Sequence, residues 1–450
     1  MSLSATKLQR TIEEKLQNRP GVRRAIGNLN WLFWDRLARI LTGMLTAVWM
    51  MRMLGPSQYG LMTWSAAWYF CFSVMATLGL DSLVVREVVR FPEEKNSILG
   101  TTFFMKLIGA VLAFALSVGA FAFYRPHLGT SQHLLEALVS MYAAIGLCQA
   151  FDAIDFWFQS QIATKYVVYA KSAAFFTMTA ARLWLIHIHA PVYAFPATML
   201  VEAILGAAGL YVSYTLNHND MRDWRFDLRW MKTLLSDSWP IMLAGIAITF
   251  QARMDQLMLG TMVSKTELGE FAAALNVIEA FGFIPMVIYS AVTPLIVKAK
   301  EAGDDVYYGR LCDLYRLMFI AFVVVAVPLF FLGKPVIVFL LGSKYARAGA
   351  LVGLMSIRLL FANFGVARQV FVLSANLFRY TLTTAIIGTA LNAGLNYWLI
   401  PHYRSVGAIV VMIVSFFVTT FLFDFFYPPV QRNMREMLRA IVTPWRLSLS

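Results

Sequence analysis

The chain has 450 residues, 59% hydrophobic and 14% charged, with a mean hydropathy of +0.64. A soluble chain carries about 25% charged residues, so a string of soluble domains is excluded, and so is a compact basic nucleic-acid binder. The net charge of +13 instead suits loops that face anionic lipid.

Residues 1–28 are polar and basic, and the apolar run after them is too long for a signal peptide; they read as a cytosolic arm. Twelve apolar runs follow, each long enough for a transmembrane helix: 30–53, 61–85, 98–123, 134–156, 166–188, 193–216, 236–262, 268–297, 311–332, 346–373, 380–400 and 406–427. Pro285 and Pro294 lie in the eighth and predict a bend there. The longest connection, 217–235, is polar and falls at mid-chain, so it reads as a linker between two six-helix halves, 29–216 and 236–429. The tail 430–450 alternates Arg with Met, Leu and Ile, the pattern of an amphipathic helix on anionic lipid. Cys71, Cys148 and Cys312 form neither a metal spacing nor a disulfide framework.

Orientation follows from the basic residues. The arm, the even-numbered connections and the tail hold 22 Lys and Arg, against 7 in the odd-numbered connections. This asymmetry places both termini in the cytoplasm. The halves are weakly alike: a shift of 214 lays Trp184-Leu185-Ile186 on Trp398-Leu399-Ile400, and one of 209 lays Tyr59-Gly60 on Leu268-Gly269. Parallel repeats of this kind place a substrate site at their interface.

Five segments carry a family resemblance: Arg52-Met53-Leu54-Gly55-Pro56-Ser57-Gln58-Tyr59-Gly60, Gly79-Leu80-Asp81-Ser82-Leu83-Val84-Val85-Arg86-Glu87, Trp157-Phe158-Gln159, Arg253-Met254-Asp255-Gln256-Leu257-Met258-Leu259-Gly260, and Leu399-Ile400-Pro401 with Gly407-Ala408. In this order the chain resembles the Wzx-type polysaccharide and O-antigen flippases of the multidrug/oligosaccharidyl-lipid/polysaccharide exporter superfamily. The resemblance implies an all-α polytopic membrane protein of about 12 transmembrane helices in two six-helix lobes around a central cavity. It also implies the cargo, an undecaprenyl-pyrophosphate-linked oligosaccharide moved from the inner to the outer leaflet, and points to a polysaccharide polymerase and chain-length machinery as partners.

Apart from that resemblance, ionisable groups inside membrane spans mark pathways. Eight basic residues (Arg36, Arg39, Lys106, Lys171, Arg182, Arg253, Arg358, Arg368) face four acidic ones (Asp35, Glu202, Asp255, Glu279). This excess fits a pyrophosphate, which guanidinium groups grip bidentately, so Arg39, Arg253, Arg358, Lys106 and Arg182 are candidate substrate ligands. Asp35, Asp255, Glu279 and Glu202 are candidate carriers of a coupling proton or sodium ion, or else charge partners. Asp35 and Arg39 have the i,i+4 spacing of a local pair. Arg253 and Asp255, two residues apart, point to opposite sides of their helix and need separate partners. Arg86, Glu87, Asp152 and Asp155 lie near cytoplasmic helix ends as a candidate gate, with Asp313 and Arg316 as their counterpart in the second half. Trp31, Trp34, Trp64, Trp68 and Trp157 read as interfacial belts.

Neither a phosphate-cradling loop nor a nucleophile–His–acid set is apparent, so no ATP use, cofactor or metal is expected. The expected protein is a secondary transporter and not an enzyme. Its lobes would rock about the linker and the eighth helix. A drug or cation antiporter of the same fold would call for an acid-rich cavity, and a membrane glycosyltransferase or polymerase for a large outer loop with paired acids. An uncoupled scramblase remains open.

Overall fold

The computed structural model describes residues 20–124, 132–375 and 377–446, and their regular secondary structure is helical. The arm up to residue 19, Arg125, residues 447–450 and the side chains of Trp31, Trp34 and Arg36 lie outside the described residues. An apolar run in lipid has no water to pair its peptide groups, so it closes its hydrogen bonds internally as a helix. In chain order the helices are α1 (Pro20–Thr77), α2 (Asp81–Arg90), α3 (Lys95–Tyr124), α4 (Gln132–Leu147), α5 (Asp152–Ser160), α6 (Lys165–His187), α7 (Ala194–Leu216) and α8 (Leu228–Met262). Then come α9 (Lys265–Ala280), α10 (Phe283–Glu301), α11 (Asp304–Leu341), α12 (Ala346–Met355), α13 (Arg358–Ser374), α14 (Phe378–Phe417), α15 (Phe423–Phe426) and α16 (Pro428–Val442).

Among the described residues, eight stretches are long and apolar enough to cross a bilayer, or nine if the bent pair α12–α13 is one span. Two hairpins and α6 reconcile this with twelve runs. α1 breaks at Gly55, where φ is +70°, a conformation glycine adopts freely, and Pro56 opens the returning arm. Arg39 and Phe70, on the two arms, consequently line one cavity. α14 breaks at Arg404 (φ 53°), and its return brings Thr419 against Gly388. α6 has 23 residues, about 34 Å of helix, and packs along α7. The bend expected at Pro285 falls just ahead of it, at Phe281–Gly282 between α9 and α10. Pro285 has no N–H to offer the Phe281 carbonyl, so the ladder opens there.

The two halves, α1–α7 and α8–α15, meet most closely at the end away from the mid-chain connection. There, a Cβ on Gly60 would lie 1.7 Å from the Lys265 carbonyl oxygen, and a Cβ on Gly269 would lie 1.8 Å from that of Pro56. The two glycines that the repeat equates thus form a reciprocal crossing, each seating the other half's backbone. Around them Tyr345 Oη donates to the Met51 carbonyl (3.0 Å), Trp64 Nε1 to that of Leu257 (3.3 Å), and Asn276 Nδ2 to Tyr59 Oη. Trp64 is fully buried, 5.3 Å from Trp68 centre to centre, with the Lys265 ammonium 3.9 Å over its ring. It belongs to this seal and not to an interfacial belt, because the second half covers it.

At the opposite end the mid-chain connection is strapped to the first half. Arg225 N–H donates to the Asn96 carbonyl (3.2 Å) and Asp227 N–H to Thr101 Oγ1 (2.9 Å), while Trp230 Nε1 (2.7 Å) and Arg229 both donate to Glu94. Trp230 and Leu234 are buried with Leu80, Val84 and Ile98. The first turns of α8 therefore ride on the first half. The next interruption of the backbone ladder is at Pro240, inside α8. The tail forms the expected amphipathic helix, with its apolar face on protein. α16 lays Val430, Met437 and Ala440 against Leu311, Cys312 and Tyr315, and Tyr315 Oη donates to buried Asn433 (2.9 Å). α11 extends far enough to offer this helix an apolar protein face in place of lipid.

Candidate functional site

Below the glycine seal, between the halves, lies a cavity of about 910 Å³. Both arms of α1, together with α4, α6 and α7, build one side, and α8 and α9 the other. Four basic side chains line it (Arg39, Lys171, Arg182, Arg253), with three acidic ones (Asp152, Glu202, Glu279). Most of these charges are paired. Arg39 Nε lies 3.5 Å from Asp35, one turn away, and Asp35 also accepts from Ser172 Oγ (2.5 Å). Arg182 lies 2.5 Å from Glu202 and donates through Nε to Thr198 Oγ1 (3.0 Å). Lys171 bridges Asp152 (3.3 Å) and Asp155 (2.7 Å).

Arg253 is the exception. Its guanidinium sits 4.7 Å over the ring of Phe70, across the cavity on α1, and among the described residues no carboxylate lies within ion-pair distance of it. Two residues on, Asp255 points the other way. It is buried in the second half and accepts from Asn392 (3.1 Å) and Asn396 (2.6 Å) of α14. The two-residue spacing separates the pair as helix phase requires.

The other sequence candidates sit as follows. Arg358 does not line the cavity; it lies behind Glu279 (3.8 Å), 5.7 Å over the Phe416 ring. Lys106 is also outside the lining. It is buried between Asp81 (3.8 Å) and Asp152 (3.4 Å), with its ammonium 4.8 Å over the Phe156 ring. Arg86 joins Glu87 (2.8 Å) and also Asp237 at the start of α8 (3.0 Å). The four gate candidates therefore form two clusters: Arg86 and Glu87 beside the strap, and Asp152 and Asp155 on Lys171 of the cavity wall. Arg368 lies outside the cavity too, locked to buried Asp424, which also accepts from Tyr380 (2.8 Å).

Sequence reasoning passed over several groups. Gln149, Gln256, Asn276, Tyr59, Tyr69 and Tyr142 line the cavity without charge. Asn392 and Asn396, amides one turn apart in an apolar run, carried a signal in that spacing. Glu267, buried near the seal, accepts from Ser405 and from Arg347 (2.7 Å), while its backbone N–H donates to Ser264 Oγ (3.1 Å) at the start of α9.

The fold is shared with solved membrane transporters. One is a lipid II flippase, MurJ, in an inward closed conformation (TM-score 0.68, 13% identity, covering 91% of this chain and 90% of that one). Another is a multidrug resistance transporter of the MATE family and MOP superfamily, facing inward (0.66, 13%, 90% and 96%). A third is an outward-facing structure of that kind (0.58, 12%, 92% and 94%). No curated protein sequence matches the chain. The profile of the family described as polysaccharide biosynthesis protein matches residues 28–300. This match covers more than half of the chain, so the chain belongs to the polysaccharide biosynthesis protein family.

Proposed function

We propose that the protein flips an undecaprenyl-pyrophosphate-linked oligosaccharide across the cytoplasmic membrane by alternating access, for the assembly of a surface polysaccharide. The observation that carries this reading is Arg253: a guanidinium in the cavity wall, stacked on an aromatic ring and without a carboxylate. An unmatched cation in lipid needs an anion, and a diphosphate accepts the two parallel hydrogen bonds that Arg offers. Membership of a polysaccharide biosynthesis family and the fold shared with a lipid II flippase support it.

In this scheme the basic connections put the strapped end in the cytoplasm, so the cavity loads from the inner leaflet. Arg253 and Arg39 take the diphosphate. Arg182 and Arg358 act through Glu202 and Glu279, and Lys106 holds Asp152 on the cavity wall. The seal at Gly60 and Gly269 then parts as the lobes rock, with α8 bending near Pro240, while the prenyl tail stays in lipid. Asp255, held by two amides, is the preferred carrier of a coupling proton or sodium ion, ahead of Asp35, Glu279 and Glu202. A polymerase with its chain-length machinery would take up the product outside.

A second reading is export of drugs or cations, favoured by the fold shared with multidrug transporters. Affinity separates the two. The purified chain should bind undecaprenyl pyrophosphate but not undecaprenol, and Arg253→Ala should weaken binding at least tenfold, since a hydrogen bond to a charged group contributes about 1.5–3 kcal/mol. Binding of organic cations with no affinity for the diphosphate would refute the flippase reading.

A further inference from the structure

The tail helix α16 follows the last span after a single residue, Tyr427, and settles on the first apolar turns of α11. It is fastened at both ends. Near its start Tyr315 Oη donates to Asn433 (2.9 Å); at its close Arg316 donates to Thr443 Oγ1 (3.2 Å) and to the Arg446 carbonyl (2.6 Å). The depth of α16 follows from α11. Those 38 residues make about 57 Å of helix, well beyond a hydrocarbon core of ~30 Å. The chain leaving the last turn of α11 is at the seal, where Tyr345 bonds the Met51 carbonyl. The first turn of α11, with Asp304 and Asp305, therefore stands outside the hydrocarbon at the strapped end. α16, beside Leu311, Cys312 and Tyr315, lies at headgroup depth.

The outward side of α16 carries two edges. Arg432, Arg435 and Arg439 form one at helical spacing, and Leu438 and Val442, one turn apart, form the other, with Trp445 just beyond. Leu438 is 44% exposed, Val442 69% and Trp445 75%. Arg432 is occupied by Asp305 (2.5 Å) and Arg439 by Glu436 (3.5 Å). Arg435 and Arg446 are exposed, and among the described residues neither has a carboxylate within ion-pair distance. An apolar edge beside a row of arginines is the form of a helix lying in the membrane interface.

We infer that this outward side of α16 is a docking surface for anionic phospholipids of the leaflet at the strapped end. Leu438, Val442 and Trp445 enter the boundary of the acyl chains, and Arg435, Arg439 and Arg446 take headgroup phosphates. The broad apolar face of the helix is used on protein, so a second, narrower edge meets the lipid. Because α16 is fastened to α11 at both ends, this contact fixes the depth of the second half in the membrane. It needs no cargo and holds whichever substrate the cavity takes.

The test puts an environment-sensitive fluorophore on Val442→Cys of the full-length chain, with the three native cysteines replaced by alanine. The labelled protein is placed in nanodiscs of phosphatidylcholine with increasing phosphatidylglycerol. Emission should shift to the blue as phosphatidylglycerol is added, and lipid brominated in its acyl chains should quench it. Arg435→Gln should raise the phosphatidylglycerol fraction that gives half the shift about fivefold, the equivalent of ~1 kcal/mol. Arg435→Lys keeps the charge and should leave that fraction close to the parent's. Emission that is the same in pure phosphatidylcholine overturns the preference for anionic lipid. Absence of quenching at every composition overturns the placement of the helix in the interface. A half-point unaltered by Arg435→Gln overturns the assignment of the headgroup to this arginine edge.

Discussion

Gly60→Ala probes the seal most sharply. The new methyl would sit 1.7 Å from the Lys265 carbonyl oxygen, 2.7 Å from its carbon and 3.0 Å from the Gly269 nitrogen, all of them backbone atoms. To reach an ordinary contact of 3.4 Å, α9 must retreat by about 1.7 Å, which breaks the reciprocal crossing at Gly269 as well. Overpacking of a well-packed contact costs about 1–3 kcal/mol. Alanine's better helix propensity acts in both conformations and cancels. The whole cost therefore falls on the sealed state, shifting the equilibrium toward the open far end by about 5- to 150-fold. The assay replaces the three native cysteines by alanine and introduces Leu268→Cys, at a position buried in the seal. Its reaction with an impermeant maleimide from the far side should speed up when Gly60→Ala is added. Gly119→Ala, whose methyl meets nothing within 4 Å, should leave the rate unaltered. An unchanged rate for Gly60→Ala would refute the glycine crossing as the closing contact.

Three further outcomes follow from the packing. Asp424→Asn leaves Arg368 buried without its carboxylate, and loss of one member of a buried pair costs roughly 3–5 kcal/mol; the midpoint of thermal unfolding in detergent should fall, and an unchanged midpoint would contradict the pairing. Tyr315→Phe strips Asn433 of its donor at about 1–3 kcal/mol, so protease should release α16 faster than in the wild type. Trp230→Ala empties a buried site in the strap, a change that typically costs ~3–5 kcal/mol, and should expose 217–227 to cleavage; equal protection in variant and wild type would mean that the strap does not hold the linker.

Helix phase made some of the site legible in advance. The Asp35–Arg39 spacing named a local pair, and the two-residue step from Arg253 to Asp255 sent one side chain into the cavity and the other into the second lobe. The sequence hid the neighbours. Lys106 and Arg358 have the same intramembrane signature as Arg253, but their partners Asp152 and Glu279 come from other helices, and these contacts draw both basic side chains out of the lining. The apparent basic excess shrinks for the same reason: opposite charges far apart in sequence meet in pairs. The neutral groups of the wall, Gln149 and Asn276 among them, carry no charge to flag them in an apolar run. The hinge was obscured because 217–235 looks like a free polar linker until Glu94 and Trp230 are seen to bind it down. By contrast, the reciprocal glycines were foreshadowed by the 209-residue repeat, whose equivalence the seal makes physical.

The most direct measurement is movement of a fluorescent undecaprenyl-pyrophosphate-linked sugar in proteoliposomes, with leaflet exposure read by an impermeant quencher. The account predicts protein-dependent transfer between leaflets that falls at least tenfold in Arg253→Ala, given ~1.5–3 kcal/mol for its charge-assisted contacts. Transfer that proceeds equally well in that variant, or that is absent while organic cations are exported against a gradient, would contradict it.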